Sequence, residues 1–204
     1  MSNHLVPAGG HAMVADMWSH DRYVIKRPFL SFFGRRFHVY APDGRLVLFV
    51  KHPIFRWREK FSVFTDESQQ VPVLEIRARQ IVALDFLHDI FDARTGELVG
   101  TLKRRGWKSF IRDHWDILDA QNQPVGAIEE QGPALLRRFI PLLTSQHSIT
   151  LGTTPVAHLQ QVFRFFVKEF HLDLGMGRGK IDPRFAVACA LMAVMAESQR
   201  EDRN

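Results

Sequence analysis

The sequence is poor in cysteine and has no apolar segment long enough to cross a membrane as a helix. Cys189 is the single cysteine among 204 residues, which excludes an intramolecular disulfide and a cysteine-rich metal site and favours a reducing compartment. Residues 1–17 lack the basic region and apolar run of a secretion signal. The apolar run 185–196 is shorter than the roughly 20 residues that a membrane helix needs. These absences predict a cytoplasmic protein without a transmembrane segment, with a peripheral position at the membrane left open.

The composition is that of an ordinary globular protein with a basic charge balance. Apolar residues make up 46% and charged residues 24% of the chain, and the length suits one sizeable domain. The formal net charge of +5 favours anionic partners such as lipid headgroups, nucleic acid or phosphorylated ligands. The other interpretation of this excess charge is that it only keeps the protein in solution.

The C-terminal segment 183–199 has the pattern of a helix that is enclosed on all sides. Asp182 is a favourable N-cap residue, and Pro183 suits the first helical position. Residues 185–196 include no polar residue, whereas a surface helix would present a polar face. We therefore predict a helix over 183–199 at the centre of the domain, with the thiol of Cys189 buried and unreactive.

A turn motif recurs along the first part of the chain. Four aspartates each open a short polar stretch between two segments in which apolar and polar residues alternate; they are Asp43, Asp66, Asp92 and Asp119. An aspartate side chain can accept a hydrogen bond from the turn backbone, and nearby Gly and Asn tolerate positive φ. The alternation indicates strands with one buried face. The motif therefore predicts a series of antiparallel hairpins.

Together these patterns predict a mainly β protein. The predicted strands are 23–28, 36–41, 45–51, 59–65, 72–79, 85–92, 97–104, 113–119, 124–130, 147–152, 155–161 and 163–173. A meander this long must close to protect its edges, and the apolar helix fills the interior. The predicted fold is a closed antiparallel barrel of about twelve strands around a central C-terminal helix. We expect a single domain over residues 23–200, preceded by a flexible lead-in over residues 1–22.

Several segments, taken in order, carry a resemblance to a known family. They are Tyr23-Val24-Ile25-Lys26, the run from Gly106 to Asp119, Val125-Gly126-Ala127-Ile128-Glu129-Glu130, and the run from Ala134 to Pro141. With the terminal helix, they make the chain resemble the tubby-like superfold, and within it the bacterial LURP-one-related or phospholipid scramblase-like proteins. The resemblance covers residues 23–197 and implies a barrel of about twelve strands around a central helix. It also implies a link to membranes, because tubby domains bind phosphoinositides and scramblases are tied to lipid movement.

The chain departs from the eukaryotic scramblases at two points. It has neither their proline-rich tail nor their cysteine-rich palmitoylation segment. In the segment 172–182, which matches their calcium-linked segment, Asp173 and Asp182 are the only carboxylates, and Arg178 and Lys180 add positive charge. Because Ca²⁺ usually takes about six to eight oxygen ligands, we expect no metal site and no cofactor.

No group of residues in the sequence indicates catalysis. Residues 175–180 resemble a phosphate loop, but Ile181 occupies the place where a P-loop needs Ser or Thr. We interpret 175–180 as a hinge into the helix, although its glycine amides could hold an anion. The ten histidines lack metal-ligand spacing, and the neighbours Glu129 and Glu130 point to opposite faces of a strand. We therefore expect a protein that is not an enzyme.

Three segments combine cations with large apolar residues and are the predicted lipid- or anion-binding residues. They are Lys103, Arg104, Arg105, Trp107, Lys108 and Arg112 in the first, Arg56, Arg58 and Lys60 in the second, and Arg137 and Arg138 in the third. Tryptophan suits the membrane interface, and each cation near an anionic surface contributes about 1 kcal/mol. The alternative is that the aromatics belong to the core and the cations solvate strand ends. The apolar segment 29–34 is either an interaction loop or packing over the barrel mouth.

The predicted function is a non-enzymatic module that binds anionic lipid at a membrane surface, scramblase-like by resemblance. The alternative is a protein-interaction scaffold or regulatory domain without lipid binding. The expected partners are anionic membrane lipid headgroups or another protein. Single-stranded nucleic acid could use the same cations with aromatic stacking, but we do not expect it.

Overall fold

The computed structural model describes residues 16–28, 35–52, 60–82, 85–104, 114–131 and 144–201. Within these ranges the chain forms twelve strands and a long C-terminal helix. The strands are β1 (Arg22–Pro28), β2 (Arg35–Tyr40), β3 (Leu46–His52), β4 (Phe61–Phe64), β5 (Pro72–Val82), β6 (Asp85–Asp92), β7 (Leu98–Arg104), β8 (His114–Leu118), β9 (Pro124–Gln131), β10 (Gln146–Leu151), β11 (Thr154–Val162) and β12 (Val167–Asp173). The helix is α1 (Pro183–Glu201), and a 3₁₀ turn (Gly175–Gly177) precedes it.

The strands form a closed antiparallel barrel in which each strand pairs with its neighbours in sequence. The barrel closes between the first and the last strand, where β1 and β12 pair from Arg22 opposite Asp173 to Pro28 opposite Val167. Closure leaves no unpaired edge strand, which protects a large antiparallel sheet from edge-to-edge association. The predicted fold class, a mainly β barrel of twelve strands with a C-terminal helix, is confirmed.

Helix α1 fills the barrel. Every side chain from Phe185 to Gln199 is buried, and the apolar ones join the inward-facing residues of the strands in one continuous core, which includes Tyr23 and Trp115. Burying a large apolar side chain stabilises the fold by about 1.5–3 kcal/mol, so an all-apolar helix is favoured in this position. Among the described residues, no helix has the length and apolarity that crossing a membrane requires.

The turn aspartates act as the sequence predicts. In each turn the aspartate Oδ1 accepts a hydrogen bond from the backbone N–H two residues later, at 2.8 to 2.9 Å. These aspartates are Asp43, Asp66, Asp92 and Asp119. In the last of the four turns, Asn122 has a φ of 58°, the conformation that Asn tolerates better than most residues. Short polar side chains thus set the turns that hold neighbouring strands in register.

The last hairpin differs from the sequence prediction. Residues 163–173 are predicted as one strand, but β11 ends at Val162 and β12 starts at Val167. Because Val162 already pairs with Glu169, the chain must reverse direction between them, and residues 163–166 form the connection. The alternation of aromatic and charged residues in this segment mimics a strand. The prediction that the strand starts at residue 163 is therefore wrong.

The barrel has two distinguishable ends. We define the lower end as the one at which β1 begins and the upper end as the one at which β1 finishes. Because the strands alternate in direction, odd-numbered strands finish at the upper end and even-numbered strands finish at the lower end. Helix α1 follows β12, so it enters at the lower end and runs towards the upper end.

Candidate functional site

The predicted basic segments all adjoin strands that finish at the upper end of the barrel. The segments that carry them follow β3, β7 and β9, which are all odd-numbered strands. Lys60, Lys103 and Arg104 belong to the described residues. Outside them lie Arg56, Arg58, Arg105, Trp107, Lys108, Arg112, Arg137, Arg138 and the apolar segment 29–34. The candidate site is therefore built from the cations and aromatics of the described strands and their connections.

Lys103 and Arg104 are neighbours on β7 and face opposite sides of the sheet. The guanidinium of Arg104 lies 5.4 Å from the ring centroid of Trp115, a residue that is fully buried. Lys103 pairs in register with Asp116 on β8 and Leu87 on β6, on the outer side. Arg104 therefore belongs to the inner wall at the upper end, and Lys103 to the outer face, where it is half-buried beside the buried Leu87 and Asp116.

Lys60 lies just before β4 and is neutralised by a neighbouring carboxylate. Its Nζ lies 2.6 Å from Oε2 of Glu75, and Arg77 donates to the other oxygen of the same carboxylate. Partial burial acts to raise the pKa of Glu75, but the hydrogen bonds from Lys60 and Arg77 outweigh it and hold that pKa below its usual range. Lys60 therefore contributes less free positive charge than the sequence suggests.

A pair of exposed cations that the sequence prediction missed lies on β2 and β3. Arg36 and Lys51 are directly opposite each other in the register of these strands, and both side chains are exposed on the outer face. Like charges in this arrangement destabilise a sheet, so they are unfavourable for the fold alone. The pair creates a local concentration of positive charge at the upper end.

The connection between β11 and β12 lies on the same side of the upper end. Its Phe165 and Phe166 are 80% and 86% exposed, while the Phe163 ring packs edge-on against that of Phe165 with 5.2 Å between centroids. Arg164 is exposed as well, and its Nη2 lies 3.3 Å from Oε1 of Glu169. Large apolar side chains with this exposure are unusual on a folded domain when they occur together.

These groups belong to one sector of the barrel. The strands β11, β12, β1, β2 and β3 are consecutive in the closed sheet, and neighbouring strands lie about 4.8 Å apart. We call the exposed cations of this sector, Arg36, Lys51 and Arg164, the basic sector. We call residues 163–166 the aromatic tip. The exposed carboxylate of Glu129 lies on β9, which β10 separates from the sector.

Further cations line the inner wall at the upper end. Arg27 and Arg35 are only 8% and 6% exposed, and they continue the inward-facing series of β1 and β2. Lys168 is opposite Arg27 in the register. Cations near the C-terminal end of a helix are favoured by its dipole, and α1 finishes at this end. Inside the mouth, the Ser145 hydroxyl donates to Oε2 of Glu197 on α1 at 2.7 Å.

The lower end is built differently, around the start of α1. Asp182 Oδ1 accepts a hydrogen bond from the Arg184 backbone N–H at 2.8 Å, as expected of an N-cap. The Arg184 guanidinium contacts Asp92 Oδ2 at 2.9 Å, Glu97 Oε2 at 3.1 Å and Asp182 Oδ2 at 2.7 Å. Hydrogen bonds and ion pairs with these carboxylates raise the pKa of Arg184. One cation thus joins the helix to the turn between β6 and β7.

The chain on either side of the barrel also packs at the lower end. Met17 is buried, and its backbone oxygen accepts a hydrogen bond from the Tyr23 hydroxyl at 2.9 Å. Arg178, next to the 3₁₀ turn, donates from Nε to Asp21 Oδ1 at 2.8 Å. The glycine-rich segment thus connects β12 to α1 as the sequence predicts, and the charge of Arg178 is paired.

Burial explains why Cys189 offers no chemistry. The residue is fully buried in the middle of α1, and desolvation raises the pKa of its thiol. The nucleophilic thiolate is therefore disfavoured, and the prediction of a buried cysteine is confirmed.

Some of the candidate site residues that the sequence prediction missed do have a recognisable signal in the sequence. Arg27 and Arg35 stand at positions where the strand alternation calls for an apolar residue, which marks a charged group facing the interior. The facing of Arg36 and Lys51 depends on strand register, and no local sequence pattern shows it. The aromatic tip was hidden because its alternation resembles that of a strand.

Comparison with known proteins identifies the family that most of the chain matches. A family model described as LURP-one-related matches residues 21–194. A solved structure of a protein from Arabidopsis thaliana is similar at 17% sequence identity, covering 91% of this chain and 98% of that chain with a TM-score of 0.49. No curated protein matches the sequence.

Proposed function

The chain belongs to the LURP-one-related family, and from this premise we propose that it is a non-enzymatic module that binds anionic membrane lipid with the upper end of its barrel. The basic sector would meet the headgroups, and the axis of α1 would point towards the membrane. The lower end would face away from it.

The observation that carries this proposal is the position of the exposed cations. Arg36, Lys51 and Arg164 project from the same end and the same side of the barrel. Two carboxylates at this end are buried, each 7% exposed: Glu169, on the outer face of β12 beside Arg164, and Glu197, inside the mouth. Arg36 and Lys51 therefore present positive charge outwards, whereas Glu169 offsets the charge of Arg164 and Glu197 is turned inwards.

Charge is distributed differently at the lower end. Its described carboxylates are Asp16, Asp21, Asp43, Asp66, Glu67, Asp92, Glu97, Asp119, Asp173 and Asp182. Several arginines lie among them, but each of four forms an ion pair with one of these carboxylates: Arg22, Arg45, Arg178 and Arg184. An anionic surface would therefore attract the upper end and repel the lower end, which gives the barrel a preferred orientation.

The expected strength of this attraction suits reversible binding. Each cation close to an anionic surface contributes about 1 kcal/mol, so Arg36 and Lys51 supply roughly 2 kcal/mol, and Arg164 adds less because Glu169 pairs with it. The attraction decays over the Debye length, which is about 8 Å at physiological salt. Binding should therefore weaken steeply between low and moderate salt.

The first test is charge reversal at the two ends. Arg36→Glu with Lys51→Glu should weaken partition into vesicles of phosphatidylglycerol and phosphatidylcholine by roughly 30-fold or more, because about 2 kcal/mol of attraction is lost. Arg94→Glu with Lys180→Glu changes the net charge equally at exposed positions of the lower end and serves as the matched control. Co-sedimentation at low salt measures both.

The proposal fails if the wild-type protein does not bind these vesicles at low salt. It also fails if both double variants lose binding equally, because net charge alone would then explain the attraction. If vesicles are not bound, a pull-down that depends on Arg36 and Lys51 would instead support a protein-interaction scaffold.

A further inference from the structure

The aromatic tip has no structural explanation within the fold. Phe165 and Phe166 are the most exposed large apolar side chains among the described residues, at 80% and 86%. Apart from Phe163, the other exposed ones are at most 54% exposed and lie apart in the turns and strand ends of the lower end; they are Val71, Leu98, Val125 and Met176. A hairpin connection of four residues could be formed by small polar residues, which are preferred in turns. Three phenylalanines in four positions therefore indicate a contact outside the chain.

The surroundings of the tip match the interface of an anionic bilayer. Arg164 lies between the phenylalanines, and its exposed guanidinium also contacts Glu169. Aromatic rings at the level of the headgroups with basic side chains beside them are the usual arrangement at a membrane interface. A tip whose rings are so fully exposed is convex, and a lipid layer can surround a convex tip without a preformed pocket.

The tip is also aligned with the basic sector. Only β1 separates β12 from β2, which carries Arg36, so the distance between them across the sheet is roughly 10 Å. A surface that contacts Arg36 and Lys51 therefore reaches the tip at the same time. The tip and the cations would act on one surface from one side of the barrel.

We propose that Phe165 and Phe166 insert into the acyl-headgroup boundary of an anionic membrane and anchor the upper end of the barrel there. This inference rests on the proposed function and adds an apolar component to the binding free energy. That component persists when salt screens the charges. Removing each exposed phenylalanine should weaken partition by roughly tenfold.

The first experiment separates the apolar component from the charge component. The variant Phe165→Ser with Phe166→Ser is compared with wild type on vesicles of phosphatidylglycerol and phosphatidylcholine at low and at physiological salt. We expect a loss of roughly 100-fold at both salt concentrations, so that binding stays measurable at low salt, where the cations still attract, and disappears at physiological salt. The control Val71→Ser with Leu98→Ser removes two exposed apolar side chains at the lower end and should bind like wild type.

The second experiment reports on the position of the tip directly. Phe165→Cys is labelled with a polarity-sensitive fluorophore, and Thr153→Cys, in the turn at the other end of β11, is the control position. Selective labelling is feasible because Cys189 is fully buried and burial raises the pKa of its thiol. We expect a blue shift on vesicle binding at position 165 and none at position 153.

The outcomes distinguish this inference from the proposed function. Vesicle binding without a blue shift at position 165, or a serine variant that binds like wild type at physiological salt, overturns the anchor and leaves charge-driven binding standing. Absence of wild-type binding at low salt overturns both. A concentration-dependent dimer that the serine variant loses would show that the tip contacts a second copy of the chain, which also overturns the anchor.

Discussion

The two ends of the barrel use charged residues in opposite ways. At the lower end, carboxylates accept hydrogen bonds from turn amides, and Arg184 joins three of them to the start of the helix. At the upper end, Arg36 and Lys51 face each other on the surface although like charges repel. The same closed sheet therefore has one end whose charges satisfy each other and one at which two like charges, Arg36 and Lys51, are presented outwards beside the paired Lys60 and Arg164. The difference separates residues that stabilise the fold from residues that we propose to bind lipid.

The largest expected effect on stability lies at the lower end. Arg184→Ala should lower the free energy of unfolding by about 3 kcal/mol, because the buried carboxylate of Asp92 loses its hydrogen-bonded guanidinium and keeps only the more distant one of Arg94, at 3.8 Å. Arg178→Ala removes a cation that pairs with Asp21 at an exposed site and should cost at most about 1 kcal/mol. Urea unfolding of both variants measures the difference. Equal losses would show that Arg184 does not join the helix to the turns.

A smaller effect is expected where the helix touches the barrel wall. A Cβ added at Gly100 would lie 2.4 Å from the ring of Phe185. Gly100→Ala should therefore overpack the lower end and cost about 2 kcal/mol. Phe185→Leu removes part of the ring, so the double variant should be more stable than the sum of the two single losses predicts. Strict additivity in thermal melts would contradict this contact.

The turn carboxylates predict an acid limit for the lower end. Burial acts to raise the pKa of Asp92, but hydrogen bonds from the Arg94 amide and Arg184 outweigh it and lower that pKa in the folded state. A carboxyl with a lower pKa when folded stabilises the protein above its unfolded pKa of about 4, and this contribution is lost as the pH falls through the folded value. The melting midpoint should therefore fall in acid, and it should fall less steeply in Asp92→Asn. If the melting midpoint of Asp92→Asn falls with pH as steeply as that of wild type, Asp92 is not the group responsible.

Most of the fold was predictable from two sequence patterns. The uninterrupted apolar run of α1 requires a surrounding structure, and only a closed sheet provides one in a chain of alternating strands. The aspartate turns were identifiable because the aspartate side chain makes a local hydrogen bond that depends only on its neighbours two residues on. Local hydrogen bonding was therefore enough to predict the turns, and the pattern of apolar residues was enough to predict the barrel.

The candidate site was less predictable because it depends on register. A run of cations such as Lys103 and Arg104 suggests a common patch, yet strand alternation places neighbours on opposite faces. Conversely, Arg36 and Lys51 are far apart in the sequence and meet only through the pairing of β2 with β3. The charge of Lys60 is also reduced by Glu75, which belongs to another strand. Clusters of cations in the sequence therefore overstate the free surface charge of some residues, such as Lys60, and miss others, such as Arg36 and Lys51.

The central claim is that the lower end stabilises the barrel and the upper end binds. The most direct measurement takes the melting midpoint and the partition into phosphatidylglycerol-containing vesicles for two variants side by side. Arg36→Glu with Lys51→Glu should change the free energy of unfolding by no more than about 0.5 kcal/mol, as surface substitutions usually do. The same variant should lose most of its binding to the vesicles. Arg184→Ala should melt earlier and, below its melting midpoint, bind vesicles like wild type. The claim is contradicted if each variant changes stability and binding together, or if the charge-reversed variant binds undiminished.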